Sequence, residues 1–179
     1  GATVRNVLDM NVSSEFIEDY TGKAEIFKQY RSSTGWDIYE NSKYDMPQGL
    51  YEFLSKMPPS KNKIPHGVKY HYCSPHSDLL GWIIERIAGD KYYNVLSNLL
   101  FLPAGLKYDA NVTLDKWGAS RSAGGISISP YDLLILSELV RCYGSNSNGQ
   151  IIPESWIDDF ISFKDNNCYL NQEKLERFP

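Results

Sequence analysis

Residues 74–89, reading SPHSDLLGWIIERIAG, constrain what this chain can fold into more than any other stretch. Ser74 reads as a helix N-cap and Pro75 as the first helical residue, where a missing N–H costs nothing and a fixed φ suits the first turn. Leu79, Leu80, Ile83, Ile84 and Ile87 recur at spacings of three and four, which predicts one buried stripe, and Gly89 supplies the stop. A helix with such a stripe must lie against a core. Two residues before Ser74, across Cys73, stands Tyr72, so a phenol and the Ser74 hydroxyl are set at the helix mouth. The backbone N–H groups there lack intrahelical partners and carry the positive end of the dipole, so a developing anion would be stabilised. The same pattern also describes an ordinary capped helix beside a core tyrosine, so the chemistry needs further support.

Helical periodicity dominates the remainder. Thr3 can cap a short helix turning Val4, Val7 and Leu8 inward, and Ser13 or Ser14 can cap another on which Phe16, Ile17 and Tyr20 share a face. Residues 24–31 and 48–56 read as two further short helices, the second ended by Pro58 and Pro59. Asp90 is placed to cap a helix running through Leu100. Ser129, Pro130 and Asp132 form a cap, a first-turn proline and a first-turn acid ahead of inward Leu133, Leu134, Leu136 and Leu139, with Gly144 as the stop. Pro153 starts a last helix with Trp156, Ile157 and Phe160 inward. Alternating strand patterns are few, residues 144–149 form a Gly/Ser/Asn-rich connection, and no internal repeat is evident. The expectation is a mainly α chain with few short strands.

A chain of 179 residues that is 42% apolar can form one core, so residues 1–179 are expected to make a single domain. A net charge of −4 without a basic stripe argues against a nucleic-acid partner. Cys73, Cys142 and Cys168 share no metal-type spacing, and an odd number cannot pair fully within one chain, which favours a reducing compartment such as the cytoplasm. His66, His71 and His76 recur every five residues, which fits neither one helix face nor a zinc pattern. Neither a metal nor a cofactor is expected. The apolar runs fall far short of the roughly 20 residues needed to cross a bilayer, and the first residues lack a basic-then-apolar leader pattern.

Residues 70–89, YHYCSPHSDLLGWIIERIAG, resemble the second active-site motif of the serine β-lactamase and penicillin-binding-protein-like hydrolases, specifically the 6-aminohexanoate-dimer hydrolase and esterase branch. Tyr72 matches the motif tyrosine. Other segments resemble that family in the same order: GATVRNVLDM, SEFIEDYTG, LPAGLKYDANVTLD, SAGGISISPYDLLILSELV and GQIIPESWIDDF. The resemblance covers residues 1–160. It implies the helical subdomain of an α/β hydrolase fold, with the sheet strands before and after it. The chain would then be a single partial domain whose sheet-facing surface is left open to a neighbouring copy.

The resemblance also implies a mechanism. In that family a serine of a Ser-x-x-Lys motif attacks the substrate, and the motif tyrosine passes the proton to the leaving amine or alkoxide. Tyr72 is assigned this catalytic role. Ser74 stands where the β-lactamase branch has asparagine, as in the amide-hydrolase branch, and is assigned to substrate binding. Tyr20 resembles a second tyrosine presented to the substrate amide; packing with a wet hydroxyl is its structural alternative. Glu18 and Asp19 could face a substrate amine or merely solvent. A literal Ser-x-x-Lys occurs at Ser60 and Lys63, but Pro58, Pro59 and Pro65 make it a solvated loop, and Thr113 to Lys116 is an equally poor nucleophile site. No Lys/His-Ser/Thr-Gly triplet, the family's third motif, occurs. The expectation is therefore an internal fragment of a hydrolase acting on a small amide or ester, inactive by itself, with a non-catalytic helical binding module as the alternative. Gly124 and Gly125 are expected to allow a tight turn near the site.

Overall fold

Caps and stop glycines set the helix ends in the computed structural model, which describes residues 1–37, 46–62 and 64–162. The helices are α1 (Val4–Leu8), α2 (Glu25–Ser33), α3 (Leu50–Lys56), α4 (Ser74–Ala88), α5 (Tyr92–Leu96), α6 (Leu102–Ala104), α7 (Pro130–Arg141) and α8 (Glu154–Ile161). A π-helical turn, Ser97–Phe101, joins α5 to α6. Two short antiparallel ladders complete the fold: β1 (Asn111–Val112) pairs with β2 (Ile126–Ser127), Asn111 opposite Ser127, and β3 (Ser145–Asn146) pairs with β4 (Gly149–Gln150). The mainly helical reading holds for the described residues. Lys63 and Cys168, singled out in the sequence, lie outside them.

Several caps form as the local chemistry dictates. The Thr3 hydroxyl accepts from the Asn6 amide while the Asn6 side chain accepts from the Thr3 amide, closing a capping box on α1. The Ser129 hydroxyl accepts from the Asp132 amide at 3.0 Å and Pro130 occupies the first turn of α7. Gly89 ends α4 at φ 67°, the left-handed conformation a Cβ disfavours.

The structure corrects other expectations. Residues 14–20 form no helix: Ser14 bridges Pro59 in extended pairing, so consecutive residues alternate, Phe16 buried and Ile17 exposed. Tyr20 does not share the face of Phe16. Asp19 turns out to be the anchor of α2, its Oδ2 accepting from the Lys23 and Ala24 amides at 2.8 and 2.6 Å. The Thr21 hydroxyl and the Ala24 amide draw its carboxyl down to about 2. Asp90 instead holds the Lys91 amide and the Asn94 side chain, leaving Lys91 at the cap position of α5. Cys73 is the cap residue of α4 and Ser74 its first residue, a shift of one position.

The largest correction concerns which face of α4 is buried. Ser74, Pro75, His76, Asp78 and Gly81 are inside, whereas Ile84 is exposed and Ile87 is 82% exposed. Leu79 and Trp82 pack at the edge of the core. The helix is thus docked by its small and polar side, and a Cβ on Gly81 would sit 2.3 Å from the Ser122 hydroxyl. Likewise Val4, Leu8, Leu133, Leu134, Trp156 and Phe160 are exposed, while Val7, Leu139 and Ile157 are buried as expected. These elements carry apolar residues on more of their circumference than the described residues cover.

The core itself is aromatic. Phe16, Phe27, Tyr30 and Phe53 join Leu50, Leu54, Cys73 and Ala119, and Phe16 meets Tyr30 edge to face at 5.5 Å. Within it lies a buried polar cluster. The Tyr30 hydroxyl donates to Asp78 Oδ2 at 2.6 Å, Arg121 Nη2 donates to the Tyr30 oxygen at 3.0 Å, and the Ala123 amide donates to Asp78 Oδ1 at 2.8 Å. Arg121 Nε lies 3.7 Å from Asp78 Oδ2, and the guanidinium lies over Trp36 at 4.2 Å. Burial pushes the Asp78 carboxyl up, opposed by Tyr30 and Arg121. Gly125 passes so close to Arg121 that a Cβ there would meet the Arg121 carbonyl oxygen at 2.6 Å, which explains the Gly124 and Gly125 pair as a tight turn. Because removing one partner of a buried pair strands the other charge, Arg121→Met is expected to cost about 3–5 kcal/mol in a urea titration, far more than substitution of exposed Lys116.

Candidate active site at the amino end of helix α4

At the mouth of α4 two of the three residues proposed from the sequence, Ser74 and Tyr20, meet on a fourth, Glu18, and Tyr72 lies near Tyr20. Ser74, only 8% exposed, gives both of its donors to Glu18: the amide to Oε2 at 3.0 Å and the hydroxyl to Oε1 at 2.8 Å. The Tyr20 hydroxyl donates to the same Oε1 at 2.9 Å. Glu18 thereby caps a helix that lies 56 residues further along the chain and whose own cap residue, Cys73, makes no side-chain cap bond. A carboxylate suits this place because the helix end has spare N–H groups and a positive dipole. In this arrangement the Ser74 hydroxyl keeps only lone pairs for a substrate, so toward an amide it is an acceptor.

Tyr72 is 38% exposed. Tyr20, 54% exposed, leans edge-on against Phe27 at 5.2 Å. Partial burial, the hydrogen bond to Glu18 and the proximity of Glu18 and Tyr72 raise the Tyr20 phenol to about 12, against a weaker opposing pull from Arg121. Tyr20 is therefore a firmly protonated donor at neutral pH. Tyr20 and Tyr72 are exposed, whereas Ser74 is buried against Glu18. The adjacent groove of about 210 Å³, between residues 12–17 and 60–71, is lined by Ser14, Phe16 and His71 among others, and by none of the three.

Beneath the mouth the chain is apolar or tightly tied. Cys73 is buried, and desolvation pushes its thiol up to about 12, so it is inert as a nucleophile. His76 is buried with Nε2 3.5 Å from the Ser14 hydroxyl, and burial lowers it to about 4. His66 Nδ1 accepts from the Ser13 amide at 3.0 Å. Among the described residues no group of three His, Cys, Asp or Glu side chains could hold a metal ion.

Neither sequence match to a nucleophile motif lies on a helix. Ser60 follows the Pro58–Pro59 break, its amide bonded to the Ser13 carbonyl at 3.4 Å and its hydroxyl accepting from Asn62, while Lys61 meets Glu15. The Thr113 hydroxyl donates to the Gly125 carbonyl at 2.9 Å. Sequence reasoning set Glu18 beside a substrate amine or in solvent, and passed over Tyr30, Asp78 and Arg121. The one local signal was Asp78 itself, an acid inside the first turns of an apolar helix.

No family profile matches the chain. It is similar along its whole length, at 27% identity over 179 residues, to the 6-aminohexanoate-dimer hydrolase of Paenarthrobacter ureafaciens, of which it covers 44%. It shares its fold with a solved structure described as "Putative 6-aminohexanoate-dimer hydrolase from Bacillus anthracis", with a TM-score of 0.78 and 22% identity, over 88% of this chain and 40% of that one. The chain thus spans about two fifths of the length of the relatives it matches.

Two measurements probe this geometry. Glu18→Gln removes a negative neighbour, so the Tyr20 phenol should titrate below about 12, read as the tyrosinate absorbance lost on adding Tyr20→Phe. His76 binds its proton more weakly folded than unfolded, so its contribution to stability is present above about pH 6.5 and is lost as pH falls toward 4. The loss is on the order of 3 kcal/mol, and His76→Leu should flatten the fall of Tm across that window.

Proposed function

We propose that this chain is the helical part of a β-lactamase-like serine hydrolase that cleaves a small amide or ester through an acyl-enzyme, residues 1–179 forming one partial domain. The meeting of Ser74 and Tyr20 on Glu18 at the mouth of α4, with Tyr72 two residues before Ser74 and near Tyr20, supports this reading. The whole-length similarity to a 6-aminohexanoate-dimer hydrolase supports it.

In the proposed reaction a serine hydroxyl, held beside a lysine on a neighbouring part of the fold, attacks the carbonyl carbon. Its proton passes to the lysine and tyrosine system. When the tetrahedral intermediate collapses, the C–N or C–O bond breaks and the Tyr72 hydroxyl delivers the proton to the leaving nitrogen or oxygen. Water then repeats the sequence on the ester. Tyr72 suits this relay because it is partly exposed, and so reachable from outside the described residues. Ser74 accepts from a substrate N–H and Tyr20 flanks the same mouth. Exposed Ile84, Ile87, Leu133 and Leu134 offer apolar surface for the sheet of such a fold or for a second copy. Among the described residues no helix is long and apolar enough to cross a membrane.

A helical binding module is the second reading, favoured by the placement of Ser60 and Thr113 off any helix. The two are separated by offering a nitrophenyl ester and a linear amide to the 179-residue chain and to a longer polypeptide that carries Ser-x-x-Lys. The short chain should not turn over. In the longer one Tyr72→Phe is expected to lower kcat about 10²–10⁴-fold. Unchanged hydrolysis in that variant removes the assignment.

A further inference from the structure

We infer that Glu18 is a positioning residue of the hydrolytic site, a capping carboxylate that sets the Tyr20 and Ser74 hydroxyls against each other beside Tyr72. The inference rests on the hydrolase reading and adds to it a residue that acts through others.

The geometry is specific. Oε1 takes both hydroxyls, from Tyr20 at 2.9 Å and from Ser74 at 2.8 Å, so the two oxygens are held around one acceptor atom. Oε2 takes the Ser74 amide at 3.0 Å, which fixes the carboxylate plane against the backbone of α4. Rotation of Glu18 would therefore break the cap as well as the hydroxyl pair. The same side chain joins the segment 17–20, which Asp19 also anchors to the start of α2, to the first turn of a 15-residue helix. The floor below is stiff, since Asp78, one turn on from Ser74, is locked to Tyr30 and to the Ala123 amide. A carboxylate is needed because all three partners donate. An amide could keep its oxygen on the two hydroxyls only by turning its NH₂ against the Ser74 N–H.

The test uses the longer polypeptide carrying Ser-x-x-Lys, with Glu18→Gln, Glu18→Ala and Tyr72→Phe assayed side by side on the linear amide. Displaced hydroxyls should lower kcat by about 10–100-fold in Glu18→Ala with KM changed less than about threefold. Glu18→Gln, which preserves size and one acceptor oxygen, should fall between Glu18→Ala and the parent. A purely structural role would instead lower Tm and leave kcat of the folded fraction intact, and that result in Glu18→Gln overturns the inference even if Glu18→Ala does not fold. Full turnover in both Glu18 variants beside an inactive Tyr72→Phe removes the inference alone. Full turnover in Tyr72→Phe removes the hydrolase reading and the inference with it.

Discussion

A carboxylate taken out of water must be met by donors or it unfolds what surrounds it, and Asp78 is met from three directions at once. The Tyr30 hydroxyl comes from α2, Arg121 and the Ala123 amide come from the segment between β1 and β2, and Asp78 itself belongs to α4. No two of these elements can shift without stranding a buried charge. The aromatic cluster around Phe16 and Phe53 supplies most of the non-directional stabilisation, but it would tolerate several packings. The polar cluster selects one of them, and it does so directly under the helix mouth where Tyr72 and Ser74 lie.

Acidic side chains recur as cross-chain caps throughout the fold. Asp115 accepts from the amides of Leu50, Trp117 and Ala119, fixing the start of α3 to the turn before β2. Asp132 accepts from the amides of Lys107 and Tyr108, tying α7 to the exit of α6. Asp19 does the same for α2, and Glu18 for α4. The chain thus spends part of its negative charge on unsatisfied backbone N–H groups at helix ends and turns. This matters where hydrophobic burial is thin. In α7 only Asp132 and Leu139 are fully buried, and in α8 only Ile157.

That thin burial is informative about the site. Tyr20 and Tyr72 are exposed at the mouth of α4, and apolar positions such as Ile87 and Leu134 are exposed on α4 and α7. Cys73 and His76, buried beside the same turn, are themselves uncharged at neutral pH, because burial raises the thiol and lowers the imidazole.

The local sequence determined much of the skeleton. The Thr3 box, the Ser129–Pro130 start and the Gly89 stop were all legible, because each depends on residues within a few positions of one another. What tertiary structure alone decided is which faces were buried. The stripe through Ile84 and Ile87 satisfies the periodicity of a core-facing helix, yet α4 is docked by Ser74, His76, Asp78 and Gly81. Periodicity reports where apolar side chains gather on a helix, not whether a neighbour is there to cover them. Glu18 with Ser74, and Asp78 with Arg121, escaped the sequence for a related reason. Their partners are far apart along the chain, and a charged residue declares its role only when folding removes its water.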